Sequence, residues 1–265
     1  MPSDGRDGWQ PSFEAVLGDW AEEVKGVDLV KKLRALFPRR YTHIFGEGEN
    51  ISSSPLWQGI QQVFQEWYFG EQLFREIFGT EPGASGKEGL IYREEPLIQA
   101  SRVKATLDEL RRQGWELGIA TGRPMNELFY PLEQMDIWKY FHKESVVTFD
   151  KVAHVEKMLR GDFPFISLGK PHPYSLLKAY WGEGKNDREL ACDAPPLPPG
   201  GMCWFVGDAL ADLLAAREAG ASFIGVLTGH NGSRNREFFA KEGAEAVLED
   251  ITRLPHFFAE DNQVL

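Results

Sequence analysis

The chain has 265 residues, 42% of them hydrophobic, enough for one large domain or a core domain with a smaller companion. Its 29 basic and 40 acidic residues give a net charge of −11, which speaks against nucleic acid as a partner and for a well-solvated surface. Two cysteines, Cys192 and Cys203, offer no disulfide framework, no run of about 18 apolar residues occurs, and the polar start Met1–Gly8 has no signal-peptide core; these predict a cytoplasmic protein that does not enter a membrane.

Residues 1–92 read as helical, with Ile60, Phe64, Trp67, Tyr68, Phe74, Ile77 and Phe78 at helical spacing. This predicts a helical cap or accessory subdomain, ending near the Gly- and Glu-rich stretch Gly83–Glu95, with the aromatic stripe packed inside it. Residues 93–265 alternate helix and strand. Pro96–Arg112 is a predicted helix with Ile98, Val103, Leu107 and Leu110 on its apolar stripe. A strand at Trp115–Ala120, a helix from Pro124 and a strand at Ser145–Phe149 follow. Phe165–Leu168 reads as a further strand ahead of a helix through Leu176, Leu177, Ala179 and Tyr180. Gly182–Gly201, with Pro195, Pro196, Pro198 and Pro199, reads as an irregular surface insertion. Met202–Val206 is a predicted buried strand, and Leu210–Ala219 a helix stopped by Gly220. Strands at Ser222–Leu227 and Ala246–Leu248 close the pattern. Such alternation predicts an α/β, Rossmann-like, doubly wound parallel sheet, with its chemistry in loops beyond the carboxyl ends of the strands.

Three of those loops carry chemistry. After the first strand comes Thr121-Gly122-Arg123-Pro124, where a hydroxyl and the free N–H groups of a helix start suit an anion of phosphate size. Gly169-Lys170-Pro171-His172-Pro173 presents a lysine on a loop stiffened by two prolines, a point charge fit to neutralise a phosphate or to clamp an attacking carboxylate. His172 reads as structural or exposed. Gly207-Asp208-Ala209-Leu210-Ala211-Asp212 ends a buried strand with two carboxylates one helical turn apart. They either cap the helix or form a hard-oxygen site for Mg2+. A hydroxyl, a cation and paired carboxylates on one sheet edge are what Mg2+-assisted phosphoryl transfer needs. Gly229-His230-Asn231-Gly232-Ser233 reads as a turn at the rim of this edge, not a dinucleotide fingerprint.

Together with Ala215-Ala216-Arg217-Glu218-Ala219-Gly220, these motifs resemble motifs two, three and four of the haloacid dehalogenase (HAD) superfamily, over roughly residues 90 to 255. The resemblance implies a Rossmann-like core with a helical cap, and a Mg2+-dependent phosphatase acting on a small phosphorylated metabolite through an aspartyl-phosphate. It implies that Thr121, with Gly122 and Arg123, binds the transferring phosphate. Lys170 would balance charge around the nucleophile, and Asp208 with Asp212 would hold or orient the metal. Position 209 often carries a small hydroxyl residue in that family and is alanine here.

One motif is missing. The family's first motif is an apolar strand ending in Asp-x-Asp-Gly, whose first aspartate attacks phosphorus and whose second acts as acid and base. The nearest match, Pro2-Ser3-Asp4-Gly5, has proline at the nucleophile position and no strand before it. In the fold so implied this strand is central, between those leading to Thr121 and Asp208, and its loss exposes two rows of backbone groups. Three explanations stay open: the protein begins upstream of Met1, the flanking strands close on each other, or another chain donates a strand. The first keeps the phosphatase. The others turn the chain into a protein without turnover that binds phosphate or Mg2+, or that serves protein contacts through the cap.

Overall fold

The computed structural model describes residues 55–83, 86–163, 166–193, 196–197, 203–229 and 232–261. The residues before 55, and with them Asp4, lie outside that set. The chain divides into two compact units, Met1–Glu95 and Pro96–Leu265.

In the first unit, helix α1 (Pro55–Phe78) bends at Gly70 and is followed by a 3-10 turn at Leu90–Arg93. The aromatic stripe packs largely on itself: the Phe64 and Tyr68 rings stack 5.5 Å apart and the Phe74 and Phe78 centroids lie 4.6 Å apart. Trp67, Tyr68, Phe69 and Phe74 are buried, while Phe64 is partly exposed.

The second unit holds helices α2 (Ala100–Arg112), α3 (Met125–Gln134), α4 (Phe149–Leu159), α5 (Tyr174–Trp181), α6 (Asp187–Cys192), α7 (Leu210–Ala219), α8 (Asn235–Lys241) and α9 (Leu254–Asp261). Its strands are β1 (Ile119–Ala120), β2 (Val146–Val147), β3 (Trp204–Gly207), β4 (Ser222–Val226) and β5 (Ala246–Leu248). All pairings are parallel, in two sheets, β1-β2 and β3-β4-β5. Side chains alternate between two cores, as the two-residue period of a strand dictates. Phe205, Phe223 and Val247 face one core with Leu177, Leu213 and Phe239. Trp204, Val206, Ile224 and Leu248 face the other with Leu107, Leu110 and Phe258. Helices cover both faces, as a parallel sheet requires. Among the described residues β1 and β3 do not pair, so the two strands have not closed on each other.

Four predicted elements are corrected. The strands near Thr121 and Thr148 have two residues each, because β2 lies between a 3-10 turn at Lys143–Ser145 and the start of α4, which limits what β1 can pair with. Ile166–Leu168 is not a strand; the buried carboxylate of Glu156 accepts the Leu168 amide at 2.8 Å, in place of a sheet partner. Gly182–Gly201 is not wholly a surface insertion. Asn186 caps α6 by accepting the Glu189 amide at 2.8 Å, and Leu190, Ala191 and Leu197 are buried in the core. Pro195, Pro198 and Pro199 fall outside the described residues. No helix among the described residues is long and apolar enough to cross a membrane.

Candidate functional site

At the carboxyl end of β3 the chain turns through Gly207-Asp208-Ala209 into α7. Asp212, in the first turn of α7, folds back so that its Oδ2 accepts the amides of Asp208 at 3.2 Å and Ala209 at 3.1 Å. This is the acidic half of a capping box; Ala209 has no side-chain oxygen to return the bond. Gly207 makes the approach possible, since a Cβ there would stand 2.6 Å from the Asp212 Cβ. Asp212 is buried, and its charge is answered by the Lys170 ammonium, 2.6 Å from Oδ1.

The same ammonium donates to the carbonyl of Ala120, the last residue of β1, at 3.2 Å. One lysine therefore ties the ends of β1 and β3, strands of different sheets, and Thr121 follows the residue whose carbonyl the lysine holds. Its third N–H has no acceptor among the described residues.

Asp208 differs from Asp212. It is exposed, and its carboxylate makes no hydrogen bond or ion pair with the described residues. Asn235 Nδ2 donates to the Asp208 backbone carbonyl at 3.1 Å, and a Cβ on Gly229 would collide with the Asp208 carboxylate, so that glycine leaves it room. The two acids, equal on paper, divide the work: Asp212 is spent holding the corner and Asp208 is left available.

At the end of β1, the Thr121 amide donates to the Val147 carbonyl at 2.9 Å. Thr121 Oγ1 accepts the Arg123 amide at 3.1 Å, which leaves the hydroxyl proton to be donated elsewhere. The sequence suggests a full set of free amides here, but the Met125 amide is already taken by Asp150 Oδ2 at 2.5 Å. Among the described residues the Thr121 hydroxyl and the Gly122 amide remain as donors, with Gly122 and Arg123 both exposed.

Mg2+ fits this corner in its usual manner, held by one or two carboxylates while keeping waters and taking phosphate oxygens. Asp208 is the available hard-oxygen ligand. Among the described residues no group of three or more His, Cys, Asp or Glu side chains forms a fuller cage.

The sequence motifs do not single out Glu156, Asp150 or Asn235, whereas Gly229 lies in the turn expected at the rim. Glu156 had a readable signal: it interrupts the apolar face Val152, Val155 and Leu159 of α4, where a carboxylate needs a reason to be buried. His172, which the sequence leaves as structural or exposed, has a half-buried ring, with Nδ1 accepting the Tyr174 amide at 3.1 Å. Burial holds its pKa below the ordinary histidine value, against a hydrogen bond to the backbone of Ala191 and the charges of Glu156 and Glu218.

Residues 167–254, covering the Lys170 loop, β3, α7, β4 and β5, match the family model described as HAD-hydrolase-like. The chain is 30% identical over 152 residues to a probable phosphoglycolate phosphatase of Pseudomonas putida, covering 57% of this chain and 48% of the relative. It is 29% identical over 160 residues to the phosphoglycolate phosphatase of Escherichia coli K12, covering 60% and 49%. The chain thus spans about half the length of the curated relatives it matches. A crystal structure from a structural genomics consortium superposes with a TM-score of 0.72 at 30% identity, over 94% of this chain and 65% of the other. With its ordered motifs, its doubly covered parallel sheets and these matches, the chain is similar to the haloacid dehalogenase-like superfamily, and its residues 167–254 match that family's hydrolase-like model.

Proposed function

We propose that the ends of β1 and β3 form the phosphate- and Mg2+-binding side of a phosphomonoesterase site for a small phosphorylated metabolite. The observation that carries this reading is the Lys170 ammonium, held at once by Asp212 and by the carbonyl that precedes Thr121. A phosphate between the two strand ends would meet a fixed cation, the Thr121 hydroxyl and the Gly122 amide. These donors are in place before the charge arrives, which is the economical way to stabilise a phosphoryl group. Asp208 would hold Mg2+, with Asp212 fixing the corner from which it projects; the metal, when bound, supplies countercharge to the phosphate oxygens. The names of the relatives make 2-phosphoglycolate the first substrate to try, and residues 1–92 would act as the cap.

Turnover through an aspartyl-phosphate needs a nucleophile that this sequence does not contain, since no two of its aspartates are separated by a single residue. That observation favours a second reading, a protein that binds phosphate and Mg2+ without hydrolysis. Phosphate release from 2-phosphoglycolate and from an aryl phosphate, with Mg2+ and with chelator, separates the two when run beside calorimetry with orthophosphate and Mg2+. Release that needs Mg2+ and is lost in Lys170→Ala supports the esterase. Binding without release supports the second reading, and neither binding nor release overturns both.

A further inference from the structure

Among the described residues no strand leads into the Lys170 loop, yet the lysine at its apex is held to within hydrogen-bond distance of two partners. Something else fixes the loop. On the upstream side Leu168 is fully buried, and its amide donates to Glu156 Oε1 at 2.8 Å. Glu156 comes from α4 and is itself buried. Downstream, the His172 amide closes a turn onto the Gly169 carbonyl at 3.0 Å, and the His172 ring accepts the Tyr174 amide. Both legs of the turn are therefore anchored two residues from Lys170.

Burying a carboxylate on the apolar face of a helix is costly, and a simple leucine at 156 would serve packing better. Among the carboxylate's partners is the Leu168 amide, a backbone donor two residues upstream of Lys170. We propose that Glu156 is a positioning residue: through the Leu168 amide it fixes the backbone from which Lys170 reaches both Asp212 and the end of β1. This deepens the phosphate-site reading and rests on it for its functional meaning, but its geometric content is independent of any ligand.

The test uses the whole chain with lysine labelled at Nζ, the Lys170 ammonium signal being assigned by its loss in Lys170→Arg. Glu156→Leu removes the acceptor and Glu156→Gln keeps one. In Glu156→Leu the ammonium signal is expected to shift and exchange faster, and orthophosphate binding in the presence of Mg2+ to weaken by about tenfold or more, in the range seen when a supporting hydrogen bond is lost. Glu156→Gln is expected to restore both to within about twofold of the parent. A folded Glu156→Leu whose Lys170 signal is unmoved overturns the proposal, as does a Glu156→Gln as impaired as the leucine variant. Should Glu156→Leu not fold, amide exchange in the parent protein decides: a Leu168 amide that exchanges as fast as an exposed one overturns the assignment. Failure of the parent to bind orthophosphate would count against the phosphate site alone, since the ammonium signal still reports on Glu156.

Discussion

The corners at the ends of β1 and β3 look alike in sequence, each a short strand, a glycine and a helix, yet they are braced in different ways. The β3 corner is held from within its own turn: Asp212 reaches back to the amides of Asp208 and Ala209, and Gly207 clears the space. The β1 corner is held from the neighbouring strand's exit, by Val147, Phe149 and Asp150. At the first, Gly207 and Asp212 are buried beneath an exposed Asp208; at the second, Gly122 and Arg123 are both exposed. What joins them is an apolar layer around α5 and one ammonium, Lys170. A site assembled from two separately braced corners is only as good as the tie between them, so the tie is the place to break it.

Lys170→Met is expected to have the largest effect. It leaves the buried Asp212 carboxylate without its counter-ion, and removing one partner of a buried pair costs about 3 kcal/mol or more. Denaturant unfolding should show a loss of that size. Adding Asp212→Asn to the same chain should recover part of it, because the orphaned charge is gone while an acceptor for the two amides remains. Strict additivity of the two substitutions would mean that the pair is not coupled.

Gly207→Ala comes next and attacks the β3 corner alone. Its Cβ would meet the Asp212 Cβ at 2.6 Å, an overpacking that costs about 1–3 kcal/mol and should weaken Mg2+ binding by displacing Asp208. Asp150→Ala attacks the β1 corner, removing the acceptor for the Met125 amide at an exposed helix start; about 1 kcal/mol is expected, as for a lost cap. If the two substitutions cost the same, the contrast between the corners is wrong.

The sheet alternation, the helix α7 with its glycine stop and the order of the three loops were legible because each rests on local chemistry: apolar period, capping and turn residues. What was not legible depends on contacts distant in sequence. Nothing around Phe165–Leu168 says that its backbone partner is a glutamate on α4 instead of a strand, and nothing in Asp208-x-x-x-Asp212 says which acid is spent on amides. The prolines of Gly182–Gly201 drew attention away from Asn186, whose side chain starts α6. In each case a polar group chose its partner in three dimensions, and the hydrophobic pattern is silent on that choice.

The smallest expected effect lies in the brace of the tie itself. Burial holds the His172 pKa below its ordinary value, so the folded protein prefers the neutral ring more strongly than the unfolded chain does. A depressed folded-state pKa contributes stability that is complete above the unfolded value, near 6.5, and drains away as pH falls from there through the folded value. The unfolding temperature of the parent should therefore decline more steeply below about pH 6.5 than that of His172→Gln, which has no proton to take up in this range. At pH 8 the glutamine variant should differ from the parent only by the cost of refitting the acceptor for the Tyr174 amide. Parallel profiles for the two proteins between pH 5 and pH 8 would mean that the ring titrates as freely in the folded protein as in the unfolded one, and that burial at this turn does not select its neutral form.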